Sequence, residues 1–267
     1  MKRIAVVAAG LAVISLLLLS MRASDADPSE CPAAPLGEPT AKDATLEPVC
    51  HKGYLSMLDP TLKEARVVEY ELTAAHSHGK HSRAGMSFKR DDLATPDDQG
   101  RAADYAKSGY DLGHLAPAED FAWSGPLERE TFSMANVAPQ LPELNRQGWE
   151  RLEETTRAEA CVHGDVVIYT GPIFSSRTAH IGADKLPVPS GFFKMVIDPR
   201  TSWSLAFLVK QAPLAKGAAA KNVTSVAKVA AASGITFPLP DGVDRNAVSS
   251  PDSGALEAYR AGQCKER

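Results

Sequence analysis

The segment Gly109–Glu153 constrains the fold most strongly, because its polar residues fall where a purely structural helix would carry apolar ones. Asn145 is a residue type that often begins a helix, and an apolar periodicity follows it. At about 100° per residue, Asn145 and Glu153 fall on the same helix face as Trp149. Trp149 and Leu152 are predicted core residues. A helix without a function would turn its amide and carboxylate toward water, so this one is expected to serve a site.

Two segments before this helix supply further polar residues. Residues 108–114 combine turn-forming residues with a short strand that ends at His114, and residues 131–138 have strand composition. A neutral imidazole, with an ordinary pKa of about 6.5, can take a proton from water. Amide and carboxylate oxygens suit Mg²⁺, which keeps several of its own waters. The combination is suited to phosphodiester hydrolysis with one hard cation.

At these residues the chain resembles the DNA/RNA non-specific endonucleases with a ββα-metal site, the group that includes endonuclease G. The matching pieces are Asp111-Leu112-Gly113-His114, Asn136-Val137-Ala138-Pro139-Gln140, and the spacing from Asn145 through Trp149 to Glu153. The likeness extends from about Cys50 to Phe237. It implies an α+β fold with a mixed, mainly antiparallel sheet core and a ββα-metal (His-Me finger) active-site motif.

The resemblance also implies a role for each candidate site residue. His114 is the general base, and Asn145 is the direct ligand of Mg²⁺, with Mn²⁺ as the alternative ion. Glu153 holds the waters of the metal, and Asn136 either orients its neighbours or contacts phosphate. Asp111 is expected to be a structural hydrogen-bond acceptor rather than a participant in the chemistry.

Phosphate binding is where this chain departs from the family pattern. Leu112 stands where the family has an arginine that helps hold the scissile phosphate. If that arginine contributes about 3 kcal/mol, its loss lowers the rate by two or more orders of magnitude. Arg83 matches a second family arginine that contacts phosphate, although Lys89 or Arg90 lies near enough in sequence to serve instead.

The implied function is metal-dependent, non-specific endonuclease cleavage of DNA and RNA through contacts to the nucleic-acid backbone. An inhibitor protein and a homodimer are further candidate partners. The main rival is a nuclease-like module that binds nucleic acid or protein but cuts weakly or not at all, which Leu112 favours. A third hypothesis is a transition-metal site built from His76, His78 and His81, although Gly79 and the neighbouring serines favour a solvated loop.

Charge limits how such a protein binds nucleic acid. The net charge is −4. Residues 1–26 carry three basic side chains against one acidic one, so the remainder has a net charge near −6. This sign excludes binding through a broad basic surface, and any electrostatic attraction must be local.

The N-terminus has the composition of a targeting segment. A basic start at residues 1–3 precedes an uncharged run of 18 residues, Ile4 to Met21, and the small residues Ser24 and Ala26 follow at the –3 and –1 positions of a candidate cleavage site. We therefore predict a signal peptide or membrane anchor over 1–26, a linker over 27–49 and a nuclease domain over 50–267. This predicts a secreted or periplasmic protein, with membrane contact only if the segment stays uncleaved.

The four cysteines and the apolar runs complete the prediction. An even number of cysteines in an exported chain indicates two disulfides with three possible pairings, of which Cys31–Cys50 with Cys161–Cys264 is the simplest. No Cys-x-x-Cys spacing suggests zinc. Predicted strands cover residues 66–73, 165–169, 192–197 and 202–209, and a short helix covers 223–232 with Gly234 near its C-cap.

Overall fold

Runs of β-branched, aromatic and aliphatic residues form the strands in this computed structural model, which describes residues 31–215 and 219–264. The strands are β1 (Thr40–Ala41), β2 (Glu47–Cys50), β3 (Leu55–Asp59), β4 (Glu64–Leu72), β5 (Asp111–His114), β6 (Val137–Gln140), β7 (Val166–Ile173), β8 (His180–Ile181), β9 (Leu186–Pro187), β10 (Gly191–Asp198), β11 (Trp203–Lys210), β12 (Val223–Thr224) and β13 (Ile235–Thr236).

Helices are fewer and mostly short. The α-helices are α1 (Gly125–Glu130), α2 (Glu150–His163), α3 (Val226–Ser233) and α4 (Ala255–Arg260), and a π-helical turn, Leu144–Trp149, runs directly into α2. Short 3₁₀ helices cover Pro96–Asp98, Ala102–Tyr105, Ala118–Phe121, Met134–Asn136 and Ala219–Asn222. Within the described ranges, no helix is long and apolar enough to cross a membrane. The predicted signal or anchor, residues 1–26, lies outside those ranges.

A seven-stranded sheet organises the fold, with strand order β12-β11-β10-β7-β4-β3-β2. Every neighbouring pair in it is antiparallel. The predicted α+β fold with a mainly antiparallel sheet is confirmed, and four of its strands, β4, β7, β10 and β11, overlap the strands predicted from sequence. The predicted helix over 223–232 is observed as α3, with Gly234 in the left-handed conformation after it.

Side chains from the central strands feed two separate cores, because successive residues of a strand point to opposite faces. Phe192 of β10 packs into the core beneath α2, together with Trp149 and Leu152. Its neighbour Phe193 packs into the core beneath α3 on the other face. We call these the α2 face and the α3 face of the sheet.

Two predicted segments differ from the structure. Residues 131–138 were expected to be one strand, but Met134–Asn136 form a 3₁₀ turn and only Val137–Gln140 pair as β6. The side-chain oxygens of Ser133 and Asn136 accept hydrogen bonds from the backbone N–H groups of Ala135 and Ala116, and the Asn136 nitrogen donates to the carbonyl of Ala116. These side-chain bonds stabilise the turn in place of strand pairing.

The predicted linker is the second difference. In its described part, residues 31–49 form β1 and most of β2, and Ala33 and Ala34 are buried in the core of the α3 face. A disulfide between Cys31 and Cys50 joins this segment to the sheet, and a second joins Cys161 of α2 to Cys264. The preferred disulfide pairing is therefore confirmed, whereas the linker interpretation is wrong for residues 31–49.

Candidate active site

Two short strands and a helix form the centre of the site. Strand β5 pairs antiparallel with β6, with His114 opposite Val137, and the chain then passes through the π-helical turn into α2. A cavity with a volume of about 340 Å³ lies between these elements. Its lining residues are Arg83, His114, Pro117, Ala118, Glu119, Asn145, Arg146, Glu150 and Glu153. Four of the five predicted site residues thus meet at one pocket.

His114 is held by aromatic neighbours. Its ring centroid lies 4.8 Å from that of Phe88 and 5.1 Å from that of Phe132. The Nε2 atom is buried and has no hydrogen-bond partner among the described residues. Burial, together with the nearby charge of Arg83, lowers the pKa of His114 to about 3. The imidazole is therefore neutral at neutral pH and able to accept a proton.

Asn145 lines the pocket, and its side-chain nitrogen is occupied, which leaves the side-chain oxygen to accept a ligand. The side-chain nitrogen donates to Asp111 Oδ2 at 3.0 Å, and within the described chain the side-chain oxygen accepts no hydrogen bond. The sequence predicted Asn145 as the residue that caps the helix, which is wrong. It lies inside the π-helical turn, and its backbone N–H donates to the carbonyl of Leu141 at 2.8 Å.

Asp111 is the anchor for two neighbours. Besides Asn145, it accepts hydrogen bonds from Arg146 Nε at 2.8 Å and Arg146 Nη2 at 2.6 Å. Burial raises the pKa of Asp111, but the hydrogen bonds from Arg146 and Asn145 outweigh burial and hold it below its ordinary value. Asp111 is therefore an ionised structural acceptor, as predicted.

Glu153 lies on the buried face of α2, as its helical position predicts, and its residual exposure is 9% at the pocket wall. Burial raises the pKa of Glu153 to about 8, against the opposing charges of Lys194 and Arg157. Lys194 is fully buried beneath it, and burial lowers the pKa of its ammonium group. No described residue makes a hydrogen bond to Lys194 Nζ. Glu153 thus lines the pocket, and the buried ammonium group of Lys194 is its electrostatic partner.

Asn136 does not reach the pocket. It is fully buried, its oxygen accepts from the backbone N–H of Ala116, and its nitrogen donates to the carbonyls of Ala116 and Thr131. With these groups already bonded and no exposed atom, contact with phosphate is excluded in this conformation. Its assignment as a substrate-binding residue is corrected to orienting the segment after His114.

The three candidate phosphate-binding cations separate in the structure. Arg83 lines the pocket, its side chain is 56% exposed, and its Nη2 lies 3.6 Å from Glu119 Oε1. Lys89 and Arg90 line a different cavity. Of the three, Arg83 is the one placed to meet a substrate beside His114.

The alternative transition-metal site is not formed. His76 stacks on Trp123 at 3.7 Å, His78 stacks on Tyr259 at 4.2 Å, and His81 pairs with Glu128 at 2.7 Å. The three rings thus have separate partners. Across residues 31–215 and 219–264, no group of three or more His, Cys, Asp or Glu side chains is placed to hold a metal ion.

The donor set at the pocket fits a hard cation that retains water. Asn145 and Glu153 offer oxygen atoms, and neither a thiolate nor a second imidazole lines the described pocket. Mg²⁺ is bound through few protein oxygens with water completing its shell, whereas softer ions favour nitrogen and sulfur ligands. Asn145 would hold the ion directly, and Glu153 would hold its waters.

Several residues at the site were not singled out from sequence. Arg146 directly follows the predicted metal ligand Asn145 in the sequence, and this adjacency is the signal that could have identified it. Lys194 stands alone in an apolar strand run, a position where a charged residue is expected only if it is paired. Asp120 and Arg157 form a buried ion pair at 2.8 Å behind Glu153, and no pattern in the sequence predicts this pairing.

Curated relatives of this chain are nucleases. It is 30% identical to bovine (Bos taurus) mitochondrial endonuclease G, over 78% of this chain and 72% of that protein. It is 34% identical to human (Homo sapiens) mitochondrial endonuclease G over 55% of this chain and 52% of that protein. It is also 30% identical to mitochondrial nuclease 1 of Schizosaccharomyces pombe, over 64% of this chain and 59% of that protein.

These relatives correct the predicted location. A secreted or periplasmic protein was expected from residues 1–26, but the relatives just described are mitochondrial nucleases by name. On this comparison the prediction of a secreted or periplasmic location is wrong. A basic, apolar N-terminus does not by itself specify which membrane system receives a chain.

The fold and the sequence lead to the same family. A solved structure of the EndoG/EndoGI complex matches with a TM-score of 0.68 and 24% identity, over 71% of this chain and 84% of that chain, which supports the fold. The family model for DNA/RNA non-specific endonucleases matches residues 35–246. Together with the pocket between β5 and α2, these matches establish that the chain is an enzyme and belongs to the DNA/RNA non-specific endonuclease family.

Proposed function

We propose that this chain hydrolyses phosphodiester bonds of DNA and RNA in a Mg²⁺-dependent reaction with His114 as the general base. One observation carries the proposal: a neutral, partner-free imidazole and an oriented amide oxygen line the same pocket. Each feature serves hydrolysis.

His114 supplies the base. The two phenylalanine rings fix the imidazole plane, and the depressed pKa keeps it unprotonated, so it can remove a proton from a water aimed at phosphorus. With a pKa this far below neutrality, the imidazole of His114 is a weak base before a substrate binds. The developing negative charge of a bound phosphate would favour the protonated form and raise the basicity during the reaction.

The other wall of the pocket handles the developing charge. Asp111 fixes the amide of Asn145 with the oxygen facing inward, and Glu153 closes the floor. A divalent cation held there would neutralise negative charge on the phosphate and its leaving oxygen. Arg83 adds a guanidinium for the same phosphate. Mn²⁺ is the alternative ion, because it shares the preference of Mg²⁺ for oxygen ligands.

The residues proposed to bind substrate explain the lack of sequence preference. They are charged or amide groups suited to phosphate oxygens, and phosphate contacts carry no direct sequence information. The solved relative is a complex with EndoGI and concerns inhibition of EndoG. We infer that an inhibitor protein is a partner class for this chain. The predicted homodimer remains a prediction.

The experiment is degradation of plasmid DNA and of RNA by the purified protein, with Mg²⁺, with EDTA, and with a His114→Ala variant. Metal-dependent cleavage of both substrates that is lost in the variant supports the proposal. Intact substrates with Mg²⁺, Mn²⁺ or Ca²⁺, from protein shown to be folded, would contradict it. That outcome would leave the non-cutting binding module.

A further inference from the structure

We propose that Arg146 binds the substrate phosphate and supplies the guanidinium that position 112 cannot supply in this chain. The proposal rests on the proposed function, because it assigns a further substrate-binding residue to the same pocket. It concerns a residue outside the set that the sequence pattern identified.

Arg146 has the right position. It lines the pocket beside His114 and Asn145, and its side chain is 69% exposed. A phosphate bound in this pocket is therefore accessible to the guanidinium as well as to His114.

Arg146 also has donors to spare. Its two hydrogen bonds to Asp111 use Nε and Nη2. A guanidinium has five N–H groups, so three remain for a ligand. The two bonds to Asp111 hold the planar group in one orientation, which lowers the conformational cost of a bidentate contact with phosphate. Asp111 thus orients the amide of Asn145 and the guanidinium of Arg146 at once.

The carboxyl groups around the pocket favour an additional cation for an anionic substrate, even though Arg146 is itself paired with Asp111. Three carboxyl groups line it, those of Glu119, Glu150 and Glu153, against the guanidinium groups of Arg83 and Arg146. Arg83 is already near Glu119, at 3.6 Å. For a chain with net charge −4, an anionic substrate needs local positive charge at the point of contact.

Leu112 cannot provide that charge, and its side chain is directed elsewhere. It packs at the edge of an apolar cluster that includes Tyr105, Met134 and Val137. Leu112 is not among the described residues that line the pocket. The positive charge at the pocket thus comes from Arg83 and from Arg146 of the π-helical turn, and not from β5.

The test measures binding separately from cleavage. A fluorescent single-stranded oligonucleotide is titrated into His114→Ala protein in EDTA, with and without Arg146→Gln, over a series of salt concentrations. We expect Arg146→Gln to weaken binding about tenfold and to reduce the log–log salt slope by about 0.7 to 1, as for the loss of one phosphate contact. Arg146→Lys should recover part of the affinity, because it keeps the charge but not the fork.

The matched control is Arg151→Gln. Arg151 is on α2, its side chain is 45% exposed, and it pairs with Glu154 away from the pocket. This control should leave affinity and salt slope unchanged. An Arg146→Gln protein with the affinity and slope of its parent would overturn the proposal, as would an effect equal to that of Arg151→Gln.

The outcomes also separate this proposal from the proposed function. If the unmodified enzyme cleaves nucleic acid but Arg146→Gln alters neither oligonucleotide binding nor the KM for cleavage, the inference on Arg146 fails alone. If oligonucleotide binding depends on Arg146 but no metal supports cleavage, the proposed reaction fails alone. A loss of Mg²⁺ affinity in Arg146→Gln with unchanged oligonucleotide binding would make Arg146 a positioning residue and overturn its phosphate role.

Discussion

Two buried carboxyl groups, Glu153 on the α2 face and Glu69 on the α3 face, have similar pKa shifts but lie in different surroundings. Burial raises the pKa of each to about 8. Glu153 lies at the wall of the active-site pocket, above the buried Lys194. Glu69 accepts a hydrogen bond from the backbone of Leu36 at 3.2 Å and adjoins Tyr169, closed beneath the N-terminal segment.

The difference between them is access. Both carboxyl groups are destabilised as anions by the loss of water, so a raised pKa reports burial on either face. Only on the α2 face does the group open onto a cavity that also contains His114 and Asn145. A perturbed pKa therefore becomes evidence for a site when a ligand can reach the group and partners of complementary chemistry surround it.

The largest expected effect comes from comparing adjacent phenylalanines on β10. Phe192→Ala and Phe193→Ala should each lower the free energy of unfolding by about 3–5 kcal/mol, because both side chains are fully buried. Their effects on catalysis should differ. Phe192 contacts Trp149 at 5.4 Å between ring centroids, and Trp149 ends the turn that holds Asn145, whereas Phe193 packs on Phe237.

Denaturant unfolding gives the stability of both variants, and the cleavage rate per folded molecule gives their activity. We expect Phe193→Ala to keep the rate of the unmodified enzyme and Phe192→Ala to lower it. Equal rates in the two folded variants would show that the α2 core does not position the site.

A second pair compares the carboxyl groups themselves. Glu153→Gln should lower the cleavage rate by about 10- to 100-fold, the usual cost of losing a group that holds a metal's waters. Glu69→Gln should leave the rate unchanged, because Glu69 is not among the residues that line the active-site pocket. Steady-state kinetics at saturating Mg²⁺ distinguish the two, and a comparable loss in Glu69→Gln would remove the distinction between the faces.

A last comparison is the dependence of stability on pH. The folded-state pKa of Glu69, about 8, exceeds its unfolded value of about 4.5, so the folded state retains a proton that the unfolded state releases. Its stabilising contribution is full below pH 4.5 and is lost as the pH rises through 8. Glu69→Gln should therefore flatten the decline in unfolding free energy over this window, by up to about 1.4 kcal/mol per pH unit. Parallel curves for the two proteins would show that Glu69 titrates normally.

Sequence reasoning reached the parts of the structure that depend on local pattern. Apolar strand runs predicted β4, β7, β10 and β11, and helical spacing predicted that Glu153 shares the buried face of Trp149. The convergence of His114 and Asn145 on one pocket followed from the ordered motif pieces. The strands and the helix face repeat at a period of 2 or 3.6 residues, and the motif pieces have a fixed order, so both are visible in a single sequence.

Long-range contacts were beyond that reasoning. Asn136 was given a phosphate contact because nothing in the sequence shows that Ala116 and Thr131 consume its hydrogen bonds. No periodicity in the sequence predicts the π-helical turn that contains Asn145. Residues 31–49 lack apolar periodicity, and their packing depends on contacts with distant strands and on the Cys31–Cys50 disulfide.

The most direct measurement is imidazole rescue of a His114→Gly variant. The side chain lies between Phe88 and Phe132, so its removal leaves a slot that free imidazole can enter. We expect the variant to lose about 10²- to 10⁴-fold in Mg²⁺-dependent cleavage, the range for general-base catalysis, and to regain part of it as imidazole is added. A folded His114→Gly protein that cleaves at the unmodified rate would contradict the assignment of His114 as the base.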